Sequence, residues 1–118
     1  MRDDLKDWLP LSPATFYILL ALSDEDRHGY GIMQEVARQS GGRYKLGPGT
    51  FYDNLEKLID HGVVKEVPRK SANDDPRRRY YRMTGFGRSL FSAEVSRLDG
   101  VVRDAKVRLR GVRPKEAL

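Results

Sequence analysis

The chain contains no cysteine. That excludes a disulfide framework, a thiolate metal site and a cysteine nucleophile, and it fits a reducing, cytoplasmic setting. Histidine is scarce, with only His28 and His61 present. Neither sits near a third histidine or a pair of carboxylates at ligand spacing, so no metal site is expected. The longest apolar run, Tyr17 to Leu22, is far below the ~20 residues that span a bilayer. The N-terminus opens on Arg2, Asp3 and Asp4, which is no signal peptide, and no membrane partner is expected. Gly47-Pro48-Gly49 lacks the spacing and the following Lys-Ser/Thr of a phosphate-binding loop. With no Ser-His-Asp set, paired carboxylates or cofactor fingerprint, neither an enzyme nor a cofactor is indicated.

Charge is plentiful. Of 118 residues 33% are charged, and 22 Lys+Arg against 17 Asp+Glu leave a net +5. A chain of this length forms one domain with a real core, and a basic surplus suits a polyanion. Its placement says more than its size. Between Lys65 and Arg82 lie the basic residues 65, 69, 70, 77, 78, 79 and 82 against the acids 66, 74 and 75.

The pattern of apolar and turn-forming residues divides the chain into an N-terminal arm (1–10), a compact domain (11–88), a C-terminal helix (89–110) and a tail (111–118). Ser12-Pro13 starts a helix, because serine caps free N–H groups and proline suits the first position. That helix is apolar on nearly all sides and should be buried. A second spans His28 to Gln39, with His28 helping to start it and Gly29 and Gly31 admitting close neighbours. Tyr44-Lys45-Leu46 reads as a brief strand pairing with the later hairpin. A third helix runs from Pro48 to His61, ended by Gly62, with Phe51, Leu55, Leu58 and Ile59 as its buried stripe. Its other face offers Thr50, Asn54 and Lys57, with Tyr52 at the boundary. Asp53 shares that face, and since Asp53 and Glu56 are both unfavourable near phosphate, at least Glu56 should point away from DNA.

Two strand-like runs follow, Val63–Val67 and Arg79–Met83, around a loop of turn formers at 71–76. Arg69 and Lys70 on the incoming side and Arg77, Arg78 and Arg79 on the outgoing side converge at its base. A groove-sized helix followed by a basic hairpin is the order of a winged helix-turn-helix, in which the wing lies along the DNA backbone. Tyr80 and Tyr81 are either base-stacking aromatics or packing residues, and strand alternation favours packing.

Thr84 caps a final helix in which Phe91, Val95, Leu98, Val102, Ala105 and Leu109 are spaced as a heptad seam. At ~1.5 Å per residue the seam is about 28 Å long, more than a domain of this size can cover. It calls for another helix, most simply its own copy, giving a homodimer. Gly100 is a candidate bend, and the tail beyond Gly111 should fray. Trp8, the only tryptophan, either lines a pocket for a flat effector or anchors the arm, and the anchor is the simpler reading.

These residues resemble a known family. Leu19-Leu20-Ala21-Leu22, His28-Gly29-Tyr30-Gly31-Ile32, Gly47-Pro48-Gly49-Thr50-Phe51-Tyr52 with Leu55 and Leu58, Gly62-Val63-Val64, and Arg79-Tyr80-Tyr81-Arg82-Met83-Thr84 with Gly87 are similar to the PadR family of bacterial transcriptional regulators. The match runs from about Leu11 to Leu90, and the C-terminal part looks like the subgroup with a single long dimerisation helix. Phe51 stands where a smaller aliphatic is common, and Met83 where leucine is. The resemblance implies a homodimeric repressor on a palindromic operator, relieved by a small aromatic compound near the dimer interface. It places Thr50 and Tyr52 in the recognition helix and Arg78 and Arg79 at the wing. The effector itself does not carry over.

The expected fold is mainly α with a small β-hairpin, a winged helix-turn-helix plus a long C-terminal dimerisation helix. The expected partner is double-stranded DNA. Two rivals remain: an adaptor whose same face docks an acidic protein, and a ligand sensor that never binds DNA.

Overall fold

Ser12 and Pro13 start a helix as their chemistry dictates. Ser12 is extended (φ −66°, ψ 156°), its hydroxyl accepts the Thr15 N–H at 3.2 Å, and Pro13 takes the first helical position. The structure, a computed structural model, describes residues 5–69 and 71–111. The first four residues of the arm, Lys70 and the tail from 112 onward lie outside the described residues.

The elements run α1 (Leu5–Trp8), α2 (Pro13–Ala21), β1 (Arg27–His28), α3 (Gly29–Gln39), α4 (Pro48–Asp60), β2 (Val64–Val67), β3 (Tyr80–Met83) and α5 (Gly85–Gly111). α2 is the central post. It buries Ala14, Thr15, Ile18, Leu19 and Ala21 and packs against α3, α4 and α5. That all-round burial matches its lack of a polar face. α3 adds Ile32 and Val36 to the core, and α4 adds Phe51, Leu55 and Leu58. His28 caps α3: its Nδ1 accepts the Gly31 N–H at 3.0 Å. Gly62 ends α4 at φ +74°, a left-handed conformation that favours glycine.

Three points depart from the sequence reading. The sheet has three antiparallel strands in the order β1-β3-β2, so the hairpin gains a third member from Arg27–His28. Arg27 pairs with Tyr81 and His28 with Tyr80, while Val64 pairs with Met83 and Val67 with Tyr80. Tyr44-Lys45-Leu46 is not a strand. The Ser40 hydroxyl accepts the Tyr44 N–H (2.9 Å) and donates to the Tyr44 carbonyl (3.1 Å), and the Tyr44 ring stacks on Tyr17 at 5.2 Å. Those backbone groups are therefore spent locally instead of on a ladder. Ile59, expected in the buried stripe of α4, is 37% exposed. It sits on the flank of α4 beside Tyr52, around a shallow hollow shared with Tyr81.

α5 is helical straight through Gly100 and, with 27 residues, is about 40 Å long. Its first half is built into the domain. Leu90 is fully buried, and Phe91 packs on Phe16 with ring centroids 5.5 Å apart. Glu94 is the one buried acid among the described residues, 2% exposed. Its carboxylate accepts the Leu11 N–H at 3.0 Å and both Arg97 Nε (2.6 Å) and Nη2 (3.0 Å). The Arg97 guanidinium, helped by that backbone N–H, holds the carboxyl below the usual glutamate range despite burial. The chain of hydrogen bonds ties the end of the arm to α5. From residue 101 to 111 every residue of α5 is exposed.

α5 starts on a tight junction. The Thr84 N–H donates to the Val63 carbonyl at 3.0 Å, and the Thr84 hydroxyl donates toward the carbonyls of Gly62 and Val63. The same hydroxyl accepts the Gly87 N–H at 3.0 Å. A Cβ at Gly87 would lie 2.1 Å from the Val63 carbonyl oxygen, a backbone atom that cannot swing away. Gly87→Ala should therefore lower unfolding stability by about 3 kcal/mol, as overpacking does. Urea denaturation checks this, and an unchanged midpoint would show that the junction has room.

Candidate nucleic-acid interface

α4 presents two flanks beside its buried face. Thr50, Asn54 and Lys57 recur at i, i+4, i+7 and form one flank, with Thr50 and Lys57 exposed. Asn54 is half-buried, and its side-chain amide donates to the Thr50 carbonyl at 2.8 Å, which fixes its orientation on the helix. Tyr52 lies on the other flank, 49% exposed. Its ring is edge-on to Phe51 at 4.8 Å, and its hydroxyl occupies the space where Gly29 lacks a side chain. A Cβ there would come within 2.6 Å of the hydroxyl oxygen. The expectation that the glycines of α3 admit a neighbouring helix holds at Gly29. At Gly31 the nearest atoms belong to His28 and Arg27 instead.

Tyr52 and the wing meet in one cleft of about 390 Å³, lined by His28, Gly29, Tyr30, Tyr52, Arg77, Arg78, Arg79 and Tyr81. The structure thus brings Tyr52 together with Arg77, Arg78 and Arg79. Thr50, Asn54 and Lys57 lie on the flank of α4 away from that cleft. Arg69 is exposed at the base of the wing and, like Lys57 and Lys65, makes no ion pair among the described residues. Lys70 lies outside the described residues.

Tyr30 escaped the sequence reading. It is 62% exposed in the first turn of α3 and opens onto the cleft. The available signal was a large aromatic placed off the Ile32–Val36 stripe, beside a glycine that leaves room for Tyr52.

Arg77, Arg78 and Arg79 each have a carboxylate partner. Arg77 makes a two-pronged contact with Asp75 (3.1 and 3.2 Å), Arg78 reaches Asp74 at 3.4 Å, and Arg79 reaches Glu66 at 3.0 Å. The Arg77 guanidinium and backbone N–H hold the Asp75 carboxyl down to about 2. Asp74 is lowered by the Tyr80 hydroxyl, which donates to it, and the Tyr80 phenol is raised in turn. Arg82 points elsewhere, with both prongs on Asp26 at 2.8 and 2.9 Å. It braces the sheet against the α2–α3 connection.

Tyr80 and Tyr81 are 6% and 7% exposed, so both pack and neither offers a stacking platform. β3 is the central strand, and Tyr80 is covered by the edge of His28 at 5.4 Å. Trp8 is half-buried against the core, edge-on to His61 at 5.4 Å, where it joins the arm to the end of α4. Along α5, Val95, Val102 and Leu109 are 44%, 47% and 75% exposed, Ala105 is exposed and Leu98 is half-buried. Phe91 already rests in its own domain's core. Among the described residues no group of His, Asp and Glu is arranged to hold a metal ion, and no helix is long and apolar enough to cross a membrane.

A helical domain with a three-stranded sheet, a helix leading into a basic wing, and a long terminal helix define a winged-helix protein. The chain belongs to the Transcriptional regulator PadR-like family, whose sequence pattern matches residues 18–93. It is 31% identical over 88 residues to a transcriptional regulator of Mycobacterium tuberculosis, covering 75% of this chain and 78% of that one. A PadR-like transcriptional regulator of Bacillus cereus superposes with a TM-score of 0.70 at 20% identity, over 92% of this chain and 97% of the other. Bacillus subtilis PadR, solved in complex with operator DNA, superposes with a TM-score of 0.62 at 20% identity. That match covers 73% of this chain and 48% of the Bacillus subtilis chain. The family is one of transcriptional regulators.

The cleft yields a test of its own geometry. Gly29→Ala meets only the far end of a flexible side chain, so stability should change by less than about 1 kcal/mol. The Tyr52 hydroxyl must move, and its ring resonances should shift in NMR spectra. Unmoved Tyr52 resonances would contradict the packing described.

Proposed function

We propose that the chain is a sequence-specific DNA-binding repressor that acts as a homodimer on a palindromic operator. The observation that carries this reading is the convergence of Tyr52 from α4 and Arg77, Arg78 and Arg79 from the wing on one open cleft. Guanidinium groups suit phosphate oxygens, and a helix beside them is placed for base edges. α4 then enters the major groove, with Thr50, Tyr52, Asn54 and Lys57 toward the DNA, while Arg69, Lys70 and Arg77–Arg79 follow the backbone. Residues 11–88 form the reading unit and 89–110 the dimerisation helix.

The unpartnered face of α5 supports the dimer. Val95, Val102 and Leu109 are too exposed for a seam that runs clear of its own domain, and a second copy of α5 covers them. Two-fold symmetry sets the two α4 helices about one DNA turn apart. The operator-bound Bacillus subtilis neighbour supports the same reading. A small aromatic effector near Trp8 completes the proposal, since that ring links the arm to the end of α4.

Lys57→Ala and Arg69→Ala remove cations that no carboxylate holds among the described residues. Each should weaken binding to all duplexes and flatten the slope of log K against log salt by about 0.9 per lost phosphate contact. Arg82→Ala, which removes a guanidinium bound to Asp26, should leave the slope unchanged. Equal effects in all three, or none in any, would overturn the assignment of α4 and the wing.

A further inference from the structure

Three of the cations that make the wing basic are already engaged. Arg77, Arg78 and Arg79 have side chains 89%, 48% and 69% exposed, yet each ends on a carboxylate of the same hairpin. Two of the acids are the fixed members of their pairs. Asp75 Oδ1 accepts the Arg77 backbone N–H at 2.9 Å, and Asp74 Oδ1 accepts the Asp75 N–H at 3.1 Å. The hydroxyl of buried Tyr80 also favours the ionised form of Asp74. A carboxylate offers a guanidinium much the same two-oxygen geometry as a phosphate. A partner tethered a few residues away competes at high effective concentration.

We propose that Asp74, Asp75 and Glu66 act as built-in competitors for DNA phosphate, each holding a wing arginine that a duplex would otherwise take. The inference rests on the DNA-binding reading above and deepens it. The wing then grips DNA less tightly than its arginines alone would allow. Because a wing of this kind contacts phosphates and not bases, the brake acts on every sequence alike. Its effect is to limit non-specific capture, the electrostatic term that dominates binding to bulk DNA. Lys57, Lys65 and Arg69, with no ion pair among the described residues, carry the unbraked part.

Asp75→Asn isolates the effect. The amide keeps an oxygen to accept the Arg77 N–H, so the turn survives while the charge is lost. Binding to a short duplex of random sequence, followed by fluorescence anisotropy across a salt series, should tighten about threefold per wing, the scale of an exposed ion pair. The salt slope should steepen by up to about 0.9 for each arginine released. Glu66→Gln should do the same at Arg79, and Glu66 takes no backbone hydrogen bond among the described residues. Glu25→Gln removes the same charge from an acid 3.3 Å from Arg27, outside the wing, and should leave binding unchanged. The brake is overturned if both wing variants bind as the parent does. It is equally overturned if Glu25→Gln tightens binding as much, since net charge then explains the gain. If neither parent nor variants bind any duplex at low salt, the DNA-binding reading falls, and this inference falls with it.

Discussion

The orientation of the molecule depends on one junction, where Thr84 closes the end of α4 onto the start of α5. Its N–H and hydroxyl hold the Gly62 and Val63 carbonyls, and that hydroxyl also takes the Gly87 N–H. Gly62 turns the chain out of α4, and Gly87 lets α5 pass against Val63 without a side chain between them. The direction of α4 and that of α5 are therefore set within a few residues of each other. Glu94 adds a second tie about two turns beyond Gly87, from α5 to Leu11 just after the arm. A dimer built on α5 inherits the placement of α4 from these contacts.

Charge in this fold is arranged more economically than composition suggests. The basic hairpin looks like a strong polyanion grip, yet Arg77, Arg78 and Arg79 are matched by Asp75, Asp74 and Glu66, and Arg82 is turned away to Asp26. Asp74 and Asp75 are ionised across the physiological range, since both titrate below the ordinary aspartate value. Any stability these pairs add is complete above the unfolded-state value and is lost as pH falls through the lowered one. Exposed pairs of this kind add little to stability. Their weight falls on what the arginines remain able to hold.

Much of this was legible in the residues themselves. The Ser12-Pro13 start, the His28 cap, the Gly62 stop and the Thr84 cap are local hydrogen-bonding chemistry, and each is found in place. The period of Phe51, Leu55 and Leu58 marked the buried side of α4, but it overreached at Ile59, because a stripe's edge is decided by what packs beside it. The third strand was placed at Tyr44–Leu46 when Arg27–His28 supplies it. Two residues carry too little pattern to announce a strand, and Ser40 had already claimed the Tyr44 backbone. At the site, Tyr52 and the wing arginines could be named from spacing and charge. Tyr30 and the carboxylate partners could not, since their roles arise from which loops face each other. The burial of Glu94 within a helix rich in charge was equally invisible.

The central claim is that two copies of one winged helix, fixed by α5, read DNA as a symmetric pair. Selection of bound duplexes from a random pool, with sequencing of the survivors, tests it most directly. The account predicts enrichment of an inverted repeat whose half-sites are centred about one helical turn, or ~10 base pairs, apart. Enrichment of a single asymmetric half-site, or of no sequence at all, would contradict it.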